Sequence, residues 1–195
     1  MNLRIALTVA FLLLAWATWA VCGPHRDAYE TAPYEVETPP EAKGAPEIRL
    51  YPALSLASTP LPRPGSPAEN SGFGRLFAFI SGANEEDQKI AMTTPVFMDG
   101  ARMSFVLPQE IASSGPPKPS AANVVLDAFS AGRYVALRFS GGRGKGNAEG
   151  AEGRLRQWAE ARNLDVVEPA IFAYYDPPFT LPAFRRNEVL LRMRD

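Results

Sequence analysis

The chain runs twice through one order of elements, strand, helix, hairpin, and that repetition leaves few folds open to it. In the first pass, Glu47–Leu56 alternates, with Ile48, Leu50, Leu54 and Leu56 on one face. Pro52 within it predicts an edge strand or a bulge. Thr59–Pro67 is proline-rich and reads as a loop. Ser71–Ser81 follows as a helix, because Phe73, Leu76, Phe77 and Ile80 fall at i, i+3, i+4 and i+7. Asn70 or Ser71 caps its start, and Gly82 suits its end. Phe79 lies off that stripe, so it is expected to leave aromatic surface exposed. Ile90–Met98 reads as a strand interrupted by Pro95, and Asp99-Gly100 turns it into Arg102–Leu107.

Gln109–Ser120, rich in Pro, Ser and Gly, is expected to be a loop at the seam between halves. Beyond it, Asn123–Phe129 and Arg133–Ser140 read as strands, with Val135, Leu137 and Phe139 sharing a face. Glu149–Arg162 is a helix with Leu155, Trp158 and Ala159 inward. Ala170–Tyr175 is a strand, Asp176-Pro177-Pro178 a corner, and Asn187–Met193 the last strand. The corners Thr94-Pro95-Val96-Phe97 and Asp176-Pro177-Pro178-Phe179 are expected to correspond. Repeated units of this kind close each other's exposed sheet faces. The expected fold is α+β: a distorted antiparallel β-barrel of two pseudo-symmetric strand-helix-strand halves, 47–108 and 121–195, with two flanking helices.

Several chemistries are excluded at this level. The single Cys22 and single His25 both stand beside an N-terminal apolar run, so the folded body has neither thiol nor imidazole. That removes an internal disulfide, a Cys/His zinc site and any Ser-His or Cys-His nucleophile pair. A net charge of −1 argues against phosphate-driven nucleic-acid binding. Gly141–Gly146 lacks the Gly-Lys-Ser/Thr ending of a phosphate loop. Arg143-Gly144-Lys145 within it reads as solvated. Tyr174, Tyr175 and Asp176 offer hydroxyls and a carboxylate, but no clustered base beside them in sequence. No catalytic or metal-ligating residue is assigned, and no enzymatic activity is expected.

The run Ile5–Val21 is apolar apart from Thr8 and Thr18 and follows a single basic residue, Arg4. Residues 1–22 therefore read as a cleaved export signal or a retained membrane anchor. Residues 23–46 read as a Pro/Glu-rich tether, with Tyr34–Glu37 entering the first strand, and 47–195 as the domain. The body is expected outside the cytoplasm, either free or held to the membrane, and monomeric.

Gly82-Ala83-Asn84, Lys89–Val96, Met103–Pro108, Tyr175–Thr180 and Arg185–Val189, in this order, resemble the signatures of the SOUL haem-binding protein family. The resemblance spans roughly Tyr34 to Met193. It implies a distorted barrel of two pseudo-equivalent halves, similar to bacterial effector-binding domains. It also implies haem or another tetrapyrrole as ligand, in a groove along the first helix. Carried over by position, that groove points to Asn70, Phe73, Phe77 and Phe79. Met92 and Met98 would line a soft pocket, and Arg185, with Arg186, could meet a ligand carboxylate or Glu188 nearby. Axial ligation by a body histidine is unavailable. The expected partner is a flat apolar small-molecule ligand, and the alternative is a protein-interaction module using the same cleft.

Overall fold

The structure, a computed structural model, describes residues 29–61, 71–142 and 144–194. The strands are β1 (Glu30–Thr31), β2 (Glu35–Thr38), β3 (Glu47–Tyr51), β4 (Leu54–Pro60), β5 (Thr93–Thr94), β6 (Val96–Met98) and β7 (Arg102–Val106). They continue with β8 (Val125–Phe129), β9 (Gly132–Phe139), β10 (Val166–Tyr174) and β11 (Asn187–Met193). The helices are α1 (Ser71–Ile80), α2 (Gln109–Ser114) and α3 (Lys145–Glu160). A 3-10 turn covers Pro182–Phe184.

Nine strands form one antiparallel, curled sheet in the order β2-β3-β9-β11-β10-β6-β7-β4-β8. Outside β2 the order is a palindrome about the β10–β6 contact. There β3 answers to β8, β9 to β4, β11 to β7 and β10 to β6, and α3 and α1 each join equivalent strands. The barrel-like α+β fold of two pseudo-symmetric halves is thus present, though the sheet stays open at β2 and β8. The joint between halves is short: Phe172 opposite Met98, Ala173 opposite Phe97, Tyr174 opposite Val96.

Three apolar clusters hold it. Tyr51, Leu54, Leu56, Phe97, Phe129 and Tyr134 fill the inside of the curl. Their rings pack closely, Phe97 on Phe129 at 4.9 Å and Phe129 on Tyr134 at 4.8 Å between centroids. Burial pushes the Tyr134 hydroxyl up to about 12. Helix α3 lays Ala148, Ala151 and Leu155 on Val135, Leu137, Val189 and Leu191. Helix α1 packs Leu76, Phe79 and Ile80 on Ala57, Met103 and Phe105.

The structure corrects several expectations. Glu47–Leu56 is neither one edge strand nor a bulge. Proline cannot donate to a ladder, and at Pro52 the chain leaves β3, paired with β2 and β9, for β4, paired with β7 and β8. Both faces of β3 hold buried residues: Ile48 is buried as expected, in the cluster under α3, but Leu50 is exposed, while Arg49 and Tyr51 on the other face are buried. Residues 30–31, expected in the tether, form β1, which pairs with β5; Tyr34–Glu37, expected to enter the first strand, falls largely in β2, a strand of its own that pairs with β3. Gln109–Ser120 is not all loop, since α2 occupies its start, with the Ser113 and Ser114 hydroxyls donating to the carbonyls of Gln109 and Glu110. Helix α3 begins four residues before the expected Glu149, and β10 four before Ala170. The partner of Pro95 is not Pro177 but Pro169. Pro95 immediately precedes β6, and Pro169 sits in the bulge of β10, just before the residues that meet β6.

Candidate ligand-binding cleft

Two apolar stripes overlap on α1, and the spacing alone cannot choose between them. Phe73, Leu76, Phe77 and Ile80 satisfy helical periodicity, but so do Gly72, Leu76, Phe79 and Ile80. The sheet takes the second set. Gly72 permits the close approach: a side-chain carbon there would stand 3.3 Å from Leu61 Cδ2. Phe79 is therefore 1% exposed, while Phe73 and Phe77 are 44% and 51% exposed. The expectation that Phe79 shows aromatic surface is overturned, and Phe79 belongs to the core.

Phe73 and Phe77, one helical turn apart, stand beside each other with near-parallel rings, 13° and 6.0 Å between centroids. The edge of Phe105 supports Phe73 at 5.3 Å. These two phenyls form one wall of a cleft of about 720 Å³. Its floor comes from Met92, Thr94, Val96, Met98 and Met103. The opposite wall is the end of β10 and the corner beyond it, Tyr174 to Phe179, and Tyr29 closes one side.

Antiparallel pairing at the joint explains why these pieces meet. Val96 begins β6 and lies opposite Tyr174, which ends β10, so the Thr94-Pro95 and Asp176-Pro177 corners fall at the same end of the sheet. Thr93 is anchored by its hydroxyl donating to Val106 O at 2.6 Å, and Thr94 is hydrogen-bonded to the Thr31 hydroxyl at 3.2 Å.

Behind the Tyr175 wall lies a buried ionic network. Glu188 on β11 is fully buried. Its Oε2 accepts from Arg49 Nη1 at 2.6 Å and from the Tyr175 hydroxyl at 3.0 Å. Its Oε1 accepts from Arg49 Nη2 at 3.2 Å and from Arg186 Nε at 2.8 Å. Arg49 Nη1 also donates to the Tyr51 hydroxyl at 3.1 Å, and Arg186 Nη2 to that of Tyr34 at 3.2 Å. The Arg186 guanidinium lies 3.9 Å over the Tyr175 ring and that of Arg49 4.1 Å over Tyr34. Burial alone would push the Glu188 carboxyl up. The hydrogen bonds and charge of Arg49, then of Arg186, outweigh it and hold the group below its ordinary value. Burial, then the Glu188 charge, pushes the Tyr175 hydroxyl well up, so it remains a donor. The network fixes the wall of the cleft from behind.

The expected site residues divide accordingly. Phe73, Phe77, Met92 and Met98 line the cleft together. Phe79 does not. Arg185 does not line it either; it donates through Nε to Thr180 O at 2.8 Å and through Nη2 to Pro178 O, bracing the corner. Asn70 lies outside the described residues. Sequence reading placed Glu188 with Arg186 but missed Arg49. The one signal available was an arginine two residues from a tyrosine inside an otherwise alternating strand.

The class these elements define is an open α+β half-barrel with an apolar cleft beside its first helix. The profile of the SOUL heme-binding protein family matches residues 29–192, and the chain belongs to that family. No curated protein matches the chain. Among solved structures, the C-terminal domain of EcmrR is similar at 14% identity and a TM-score of 0.54, over 77% of this chain and 97% of that one. EcmrR in its complex with DNA is similar at 13% identity and 0.60, over 77% and 57% of the two chains. A hydrolase from Listeria innocua is similar at 12% identity and 0.54, over 76% and 91%. At these identities the likeness is one of fold.

The cleft suits the apolar body of a haem or related macrocycle. Its volume lies within the roughly 300–1,000 Å³ of small-molecule sites, and its sides are rings and thioethers. No lysine or arginine lines it among the described residues. The sole histidine, His25, lies outside them.

Proposed function

We propose that this protein binds a flat apolar ligand, haem or another tetrapyrrole, in the cleft beside α1, without histidine ligation and without transforming it. The observation that carries this reading is the cleft itself: phenyl rings on one wall, tyrosines and prolines on the other, methionines between. A planar guest there gains about 25 cal/mol per Å² of apolar surface removed from water. With no cation on the described walls, the carboxylates of a tetrapyrrole would face the mouth and water. When bound, haem would supply iron as well as its apolar face, and the soft donors within the cleft are the thioethers of Met92, Met98 and Met103.

A binding role rather than a catalytic one is supported by Glu188. Both of its oxygens are engaged by guanidinium groups behind Tyr175, and the carboxylate that does line the cleft, Asp176, accepts from the Arg186 backbone N–H at 2.6 Å. A general base must reach the proton it takes. We further propose that residues 1–22 direct the protein out of the cytoplasm or hold it to a membrane, and that the body acts as a monomer.

Titrating the protein with haemin tests the reading. The wild type should show a Soret shift saturating at micromolar haemin. Phe73→Ser with Phe77→Ser should weaken binding about tenfold or more, since each lost aromatic contact is worth about 0.5–1.5 kcal/mol beyond its area. Both side chains are about half exposed, so the urea midpoint should hardly move. An unshifted Soret band in the wild type removes haem as the guest.

A further inference from the structure

The described residues expose five large aromatic side chains: Tyr29, Phe73, Phe77, Phe179 and Phe184. Four of the five line the one cleft, and Phe184 lies on the turn just past it. Leu181, 51% exposed, immediately precedes that turn. Scattered apolar residues on a surface are ordinary, but a contiguous group around one opening marks a contact with something apolar.

The course of the chain says what that is. Tyr29, the first described residue, is itself a wall of the cleft. Only residues 22–28 separate it from the apolar run Ile5–Val21. Eight peptide steps span at most about 28 Å when fully extended. If that run stays in a bilayer, the membrane surface lies within this distance of the mouth, which exposes Phe73, Phe77 and Phe179 beside Tyr29 itself.

We propose that the mouth of the cleft seats on a lipid bilayer, with Phe77, Phe179, Leu181 and Phe184 entering the headgroup–acyl boundary, so that the guest passes between cleft and membrane without crossing water. This rests on reading Ile5–Val21 as a retained anchor and the cleft as the ligand site. The contact is one of apolar burial, since no lysine or arginine lines the cleft among the described residues. It should therefore survive high salt.

The full chain, with Cys22→Ser so that no native thiol is labelled, is reconstituted into phosphatidylcholine vesicles. Nitroxide is placed at Leu181→Cys, Phe184→Cys or, as control, Glu160→Cys. Glu160 is exposed and closes α3, next to the start of β10 and so at the far end of that strand from the cleft. The expected result is high oxygen and low nickel-chelate accessibility at 181 and 184, the reverse at 160, unchanged in 1 M salt. High nickel accessibility at 181 and 184 overturns the proposal. So does low accessibility to both reagents, which would mean that protein covers the mouth, either the N-terminal run or a second copy. An alkaline carbonate wash separates the two premises. A chain that resists the wash with wet labels keeps the anchor and loses the seating. A chain that washes off loses both. Haemin binding, measured separately, is untouched by either outcome.

Discussion

Glu188→Ala should cost about 3–5 kcal/mol of unfolding free energy, because it leaves the charges of Arg49 and Arg186 facing each other in the interior. Arg49 is 3% exposed, and the carboxylate it loses is fully buried. Arg49 keeps a second partner, its Nε donating to Glu47 Oε1 at 2.6 Å, so the destabilisation comes from two cations left at close quarters rather than from the value of the ion pair itself. Replacing all three members, Arg49→Met, Glu188→Leu and Arg186→Met, should therefore recover part of what the single change loses.

The same carboxylate sets an acid limit. Its folded pKa lies below the ordinary value of 4.5. A group depressed in this way contributes stability that is complete above its unfolded pKa and is lost as pH falls through the folded one. The wild type should lose stability on acidification below about pH 4.5, and Glu188→Ala should flatten that part of the profile. Urea melts of both proteins between pH 3 and pH 7 would show it. A loss under about 1 kcal/mol, with an unaltered acid profile, would mean that the network does not hold the barrel.

Phe79→Ala should cost about 3–5 kcal/mol and Phe77→Ala no more than about 0.5 kcal/mol. The two are neighbours on one short helix, and only one is packed. Phe79 is enclosed among Leu76, Ile80, Ile90 and Phe105, where a lost ring leaves a cavity that the sheet cannot close. Phe77 loses contact with the cleft and little else. The ligand readout should run the opposite way: haemin affinity falls in Phe77→Ala and holds in folded Phe79→Ala. Equal destabilisation by the two variants would contradict the orientation of α1.

This pair also shows how far the sequence could be read. The helix itself, its ends and its delivery onto a hairpin follow from periodicity and from Gly82. Which stripe faces the sheet does not, because two sets of apolar residues fit the same period. The choice was made by tertiary contact, with Gly72 admitting the sheet on one side. Arg49 was hidden for a related reason. Alternation places it on the outer face, with the apolar Ile48 and Leu50 inward, and an arginine turned inward makes sense only once Glu188, 139 residues away, is known to meet it. Phe73, Phe77, Met92 and Met98 were legible as a group because they cluster around one helix and the hairpin after it. The far wall, Tyr174 to Phe179, could not be joined to them without the antiparallel joint.

The palindromic sheet gives the cleft a simple origin. Around α3 the outer surface of the second half is plugged: Trp158, Leu164, Val166 and Phe172 crowd the space beside the helix. Around the shorter α1, Met92, Val96 and Met98 pack against the helix cluster but leave a cleft between them, Phe73 and Phe77. The molecule thus contains one design drawn twice, filled in at one place and left hollow at the other.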